Sequence, residues 1–332
     1  MGISAQGLLT ALAVCMASAA QAEPVTLKLA TGAQDSTIWA KQTQAYVQKV
    51  DELSGGQVKI EIFYAGQLGS MGDTLTSALS GRIDMWSGSL PILSGIVPEL
   101  DTMMFPFMFD SDEQTVCAVP RLTETAQEAA GRKFHLLTFA PVEHQAMVGS
   151  EPLLSPDLLK GKKVRSAPSS SSINFFQSIG ATPLPLPAED TPSAASTHLV
   201  DAVNFGLTYA MASGLTETLP VYTRADVLFS LGAVIVSPRS WAKLDDQQKA
   251  ALTDALSVME FGAKLQEILA FEKAMSDRLT QAGGTIVHLT PDQQKLWEDA
   301  ARATWDKSLS ELKGDATGFF ETIQQAKADC GS

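Results

Sequence analysis

Apolar and polar residues alternate along Val25-Thr26-Leu27-Lys28-Leu29 and again along Val58-Lys59-Ile60-Glu61-Ile62. A period of two turns one face of each segment into a core, so both are predicted strands. Between them Trp39, Tyr46, Val50 and Leu53 recur at helical spacing, and Gly55-Gly56 closes the stretch as a helix stop. A further helix over 74–79 leads to Ile83-Asp84-Met85-Trp86. Short apolar strands are predicted near 136–139, 163–166, 202–205 and 234–236. Strands alternating with helices in this way predict an α/β protein with helices flanking its sheets. From Asp245 to Gln281 there is no proline and no paired glycine, and Asp245 with Gln248 forms a capping-box start. About 37 continuous helical residues would run about 55 Å, nearly twice the diameter of a small domain. Leu252, Leu256, Met259, Phe261, Leu265, Leu269 and Phe271 hold no single heptad register. The stretch is therefore read as a helix crossing two lobes.

The chain has 332 residues, 45% of them hydrophobic, enough to bury a full core and to divide into two domains. Its net charge of -13 excludes a polyanion-binding surface, which needs a basic stripe to displace counterions. The first 22 residues carry no Asp, Glu, Lys or Arg. An apolar run from Leu8 to Met16 precedes small residues ending in Ala20-Gln21-Ala22. That pattern predicts a secretory signal peptide cleaved after Ala22, although the usual basic start is missing, and places the mature protein in the periplasm. The run is shorter than the roughly 20 apolar residues of a membrane span. Lipidation at Cys15 is the lesser reading, because Val14 is larger than lipoprotein processing normally accepts. Cys117 and Cys330 remain after the leader. A bridge between them, or a buried thiol with a separate thiol near the C-terminus, are both open.

Catalytic constellations are missing. There is no Gly-x-x-x-x-Gly-Lys, no dinucleotide fingerprint, no His-Glu-x-x-His and no Gly-x-Ser-x-Gly. His135, His144, His198 and His288 are scattered and read as surface or internally satisfied side chains. Glu143 and His144 are adjacent on a predicted strand and so face opposite ways. The reading is a protein that is not an enzyme, with no cofactor and no metal.

Several segments, in order, carry a family resemblance: 47–62, then Gly66-Gln67-Leu68-Gly69, Gly81-Arg82-Ile83-Asp84-Met85, Leu93-Ser94-Gly95-Ile96-Val97-Pro98-Glu99 and Phe105-Pro106-Phe107-Met108-Phe109. After these come Leu158-Leu159-Lys160-Gly161-Lys162-Lys163-Val164-Arg165, the block Ile179-Gly180-Ala181-Thr182-Pro183-Leu184-Pro185-Leu186-Pro187, and Leu199-Val200-Asp201-Ala202. Together they resemble the periplasmic solute-binding proteins of tripartite ATP-independent periplasmic (TRAP) transporters, the dicarboxylate-binding family, over nearly the whole mature chain. The resemblance implies a type II flytrap: two α/β lobes, hinge strands, a long helix crossing both, and a cleft for a small organic acid that is passed to membrane permease subunits. It implies lobes of 23–142 with 231–270, and of 143–230 with 271–330. The alternative is a periplasmic sensor presenting the acid to a membrane kinase; a hydrolase or isomerase on the same scaffold is more remote.

Arg165 matches the family's carboxylate-binding arginine, and a planar guanidinium with parallel donors suits that task. Phe205 stands where the family commonly has asparagine and is similar to the aromatic wall of a monocarboxylate-binding branch, with Asn204 where that branch has a glutamate. Gln145, beside His144, stands where many members have a second arginine. With one arginine, a second carboxylate on the ligand would enter poorly paired. Trp39, Trp86 and Tyr209 lie in segments lining the family's cleft. Gln34, Asp35, Ser87 and Ser89 follow strand ends of the first lobe, where open α/β sheets bind ligands.

Overall fold

The computed structural model describes residues 24–331, so the predicted leader and its cleavage point lie outside the described residues. The two alternating segments are strands β1 (Val25–Thr31) and β2 (Val58–Phe63), paired in parallel with Leu27 opposite Ile60. Between them runs helix α1 (Ile38–Leu53), whose N-cap Thr37 accepts a hydrogen bond from the Ala40 N–H and whose buried face is Ala40, Gln42, Tyr46 and Val50. Gly55 and Gly56 then take φ of +59° and +81°, a turn that side chains with a Cβ rarely adopt. Helix α2 (Met71–Leu79) leads to β3 (Met85–Ser89), which pairs with β1.

The predicted short strands near 136–139 and 234–236 belong to two much longer ones, β4 (His135–Gly149) and β8 (Val221–Val236). These pair antiparallel along almost their whole length, with register shifts at Leu136/Thr138, Pro141/Glu143 and Gln145/Met147. Each shift interrupts the period of two and bends the strand, which is why the alternation in the sequence showed only the ends. With β5 (Lys163–Ser166), β6 (Thr182–Pro185) and β7 (Ala202–Phe205), the sheet order is β2-β1-β3-β8-β4-β7-β5-β6, and β9 (Thr285–His288) adds to β8. The first part of β4 and the last part of β8 serve the first lobe beside β3. The remaining parts serve the second lobe beside β7 and β9.

Helix α3 (Asp112–Arg121) packs in the first lobe, whose core holds Trp86, Leu93, Leu100, Phe105 and Ile235. Helices α4 (Ser170–Ser178) and α5 (Leu207–Ala212) belong to the second, with Phe175 and Phe176 of α4 buried against Val164. The predicted helix over 245–281 is broken. Helix α6 (Asp246–Asp254) starts with the expected capping box, a 3-10 turn spans Ala255–Met259, and Glu260 leaves the helical region to cap α7 (Phe261–Gln281) by accepting from the N–H groups of Gly262 and Ala263. Helix α7, about 31 Å long, still touches both lobes: Phe261 enters the first lobe's core, and Met275 and Leu279 enter the second's.

Helix α8 (Pro291–Arg302) puts Trp297 into the second lobe. Helix α9 (Ala316–Asp329), expected with the second lobe, instead buries Phe319, Ile323 and Ala326 in the core of the first. A disulfide between Cys117 on α3 and Cys330 fastens its end, the Cα atoms 5.8 Å apart. The lobe division implied by the resemblance is therefore corrected at the C-terminus. Long-range apolar packing and the cross-link decide that placement, and local sequence does not encode it.

Candidate functional site

Strand β5 alternates a core residue, Val164, with Arg165 on the other face. Arg165 is only 4% exposed. Its Nε and Nη2 donate to the carbonyl of Leu186 at 3.0 and 2.8 Å, and Nη1 donates to the carbonyl of Asn204 at 3.0 Å. The Leu186 carbonyl is free for this because β6 ends at Pro185, one residue earlier. The guanidinium carbon lies 4.5 Å from the centre of the Phe205 ring, and Phe205 stacks on Tyr209 with centroids 4.5 Å apart and planes 19° from parallel. A guanidinium has five N–H donors; three meet carbonyl oxygens and two meet no acceptor among the described residues. No carboxylate among the described residues forms an ion pair with it, and burial pulls its pKa down to about 10, with Tyr209 and Glu189 only partly opposing. A desolvated cation held by neutral carbonyls has the chemistry to pair with an anion.

Asn204 contributes through its main chain. Its side chain, 1% exposed, donates to the carbonyl of Ala146 at 3.0 Å. Alternation on β7 turns it away from the neighbouring Phe205, so its expected place as a side-chain ligand contact is corrected. Trp86 is corrected too: its ring is fully buried in the first lobe's core and its indole N–H donates to Met71.

His144 also belongs elsewhere. Its Nε2 lies 2.9 Å from Asp112 Oδ1, its Nδ1 3.7 Å from Glu272 Oε2, and its main-chain N–H donates to Glu272. Burial alone would lower its pKa, but Asp112 and Glu272 hold it up at about 10. His144 lines a crevice of about 280 Å³ with Phe107, Phe229, Asp112 and Asp226, and none of Arg165's partners lines that space.

Gln145, half-buried, makes no side-chain hydrogen bond among the described residues. In the first lobe Thr31, the last residue of β1, is in register with Ser87 in the middle of β3. Gln34, in the turn that follows β1, accepts from Thr37 through its carbonyl. Trp39, partly exposed on the first turn of α1, donates its indole N–H to the carbonyl of Val142 on hinge strand β4 at 3.0 Å. Gln34 and Trp39 thus follow the end of β1 in the first lobe, Ser87 lies within β3 beside it, and Arg165, Phe205 and Tyr209 lie together in the second lobe.

Glu143, read in the sequence only as the neighbour of His144, is a buried acid with a remote partner. Its carboxyl is 2% exposed and accepts from the Thr208 N–H at the start of α5, at 3.0 Å. A Cβ at Gly206 would stand 1.8 Å from its Cδ, so this carboxyl requires glycine there. Burial and Glu272 push its pKa up to about 8. The signal was present as an acid inside an apolar strand, but its partner is remote in sequence.

Residues 29–312 match the family described as bacterial extracellular solute-binding protein, family 7. The ectoine-binding periplasmic protein TeaA of Halomonas elongata is 22% identical over 297 residues, 86% of this chain and 84% of that protein. A TRAP periplasmic solute-binding protein from Sulfurospirillum deleyianum, crystallised with succinate, superposes with a TM-score of 0.83 at 20% identity, covering 92% of this chain and 100% of that one. Another, from Sulfitobacter sp. NAS-14.1 with bound β-D-galacturonate, gives 0.81 at 18% identity, covering 91% and 100%. These superpositions identify the two-lobed fold. The chain is a solute-binding receptor and not an enzyme, and it belongs to family 7 of the bacterial extracellular solute-binding proteins.

Proposed function

We propose that this receptor works in the periplasm, captures a small organic monocarboxylate between its lobes, and delivers it to TRAP permease subunits. The observation that carries the reading is Arg165, buried, without an acidic partner, and with two donors unspent. The acids bound by the solved relatives, succinate and β-D-galacturonate, support a carboxylate as the recognised group. With Gln145 in place of a second cation, one carboxylate fits better than two. Phe205 and Tyr209 give the remainder of the ligand an apolar wall, and Trp39, Gln34 and Ser87 supply the first lobe's contacts. Contacts from both lobes favour the closed state, because only a ligand that binds one state better can shift the equilibrium.

A thermal-shift screen of keto, hydroxy and aromatic acids, uronates, sulfonates and dicarboxylates tests this. An acid at a hundredfold its Kd adds about 2.7 kcal/mol to native stability. One or more monocarboxylates should raise Tm, and Arg165→Ala should remove that rise. An acid that binds the variant as well as the parent would show that Arg165 is not the anchor.

A further inference from the structure

The lobes touch through a buried acid that ligand recognition does not use. Asp101 lies in a 3-10 turn, Pro98–Met104, whose Leu100 and Met103 are in the first lobe's core. Its carboxylate, 2% exposed, accepts from the main-chain N–H of Ser171 and from the Ser171 hydroxyl, each at 3.0 Å. Ser169, the N-cap of α4, stands 3.2 Å away from that hydroxyl, oxygen to oxygen. Helix α4 belongs to the second lobe, where Phe175 and Phe176 anchor it. A first-lobe carboxylate thus sits on the positive end of a second-lobe helix, where charge-assisted hydrogen bonds and the helix dipole both favour it.

Neither half of this contact is satisfied alone. If the lobes part, Asp101 regains water and the first turn of α4 loses its acceptor, so the contact exists only with the lobes together. Its position links it to the anchor. Ser169 and Ser171 follow Arg165 on the same turn from β5 into α4, so an anion on the guanidinium and the carboxylate of Asp101 hold neighbouring parts of one segment.

We propose that Asp101 and the Ser169–Ser171 turn form a closure lock, a positioning contact that holds the second lobe shut over the cleft. This rests on the assignment of the cleft to Arg165, and it is tested without any acid, so a failed ligand screen leaves the result readable. Spin labels at Lys41→Cys on α1 and Ser196→Cys in the second lobe, in the chain from Glu23 onward, report the separation of the lobes; the disulfide occupies the other two thiols. Asp101→Asn and Ser171→Ala should each raise the open-to-closed ratio about tenfold. The double variant should open the protein no further than either single change, since both remove the same contact. Distances unchanged in both single variants, with or without a fall in Tm, would overturn the lock and make Asp101 a brace inside one rigid unit.

Discussion

A buried cation, Arg165, and a half-buried one, His144, are treated in opposite ways. Arg165 is surrounded by carbonyl oxygens and an aromatic face, and burial draws its pKa down to about 10. His144 sits between Asp112 and Glu272, which outweigh burial and lift its pKa to about 10. At His144 the protein supplies the counter-charge from its own chain, and the ion is spent on joining α3, α7 and hinge strand β4. At Arg165 no acid among the described residues supplies the counter-charge, and on the proposed function an anion from outside would supply it. Under that proposal, what separates a binding cation from a structural one is whether the chain has already neutralised it.

The largest effect that could break this contrast is at Arg165. Arg165→Met removes a desolvated charge but takes a donor from the carbonyls of Leu186 and Asn204, two effects of opposite sign. Tm of the acid-free protein should therefore change by no more than a few degrees, while affinity for the recognised acid falls by about a hundredfold or more, the worth of a charge-assisted bidentate pair. A large fall in acid-free Tm with acid affinity unchanged would mean that Arg165 is structural. His144→Leu should do the reverse. It takes the shared cation from Asp112 and Glu272, leaving Glu272 only Arg224 at 3.9 Å, and should cost about 2 kcal/mol, below the 3–5 of a fully dry pair because Asp112 is 29% exposed. Acid affinity should change little. Chemical denaturation with a binding titration on the same sample separates the two readouts, and equal losses in both would merge the two regions into one site.

Much of the fold was legible in the sequence because its signals are local. The period of two in β1 and β2 and the capping box at Asp245 lie within a few residues of what they specify. The break at Glu260 was not legible, since glutamate is an unusual cap and Gly262 alone does not stop a helix. Of the proposed site, motif and alternation pointed to Arg165, Phe205 and Tyr209, which the fold brings side by side. Trp86, His144 and the Asn204 side chain could not be separated from ligand contacts, because what removes them from that role is a partner far along the chain: Met71, Asp112 with Glu272, and Ala146. The partners of Glu143 and Asp101 were invisible for the same reason. An acid in an apolar context announces a partner without naming it.

The smallest expected effect concerns Glu143, which lies next to His144 yet behaves like neither cation. Its carboxyl titrates near 8 in the folded protein, raised by burial and by Glu272 from an ordinary value of 4.5. The native state therefore keeps a proton that the unfolded chain releases between about pH 4.5 and 8, so this group's contribution is fully present below that window and is lost as pH rises through it. His144 has the same sign in a higher window, from its ordinary 6.5 up to about 10. Stability against pH should then fall in two overlapping steps. Glu143→Gln, which keeps the shape and can still accept from Thr208, should flatten the lower step and spare the upper one; His144→Leu should flatten the upper. If Glu143→Gln leaves the slope between pH 5 and 7.5 unaltered, its carboxyl is ionised in the folded protein, and a second negative charge beside Glu272 would have to be balanced by His144. The two cations would then differ less than the comparison holds, since one of them would be neutralising three acids rather than two.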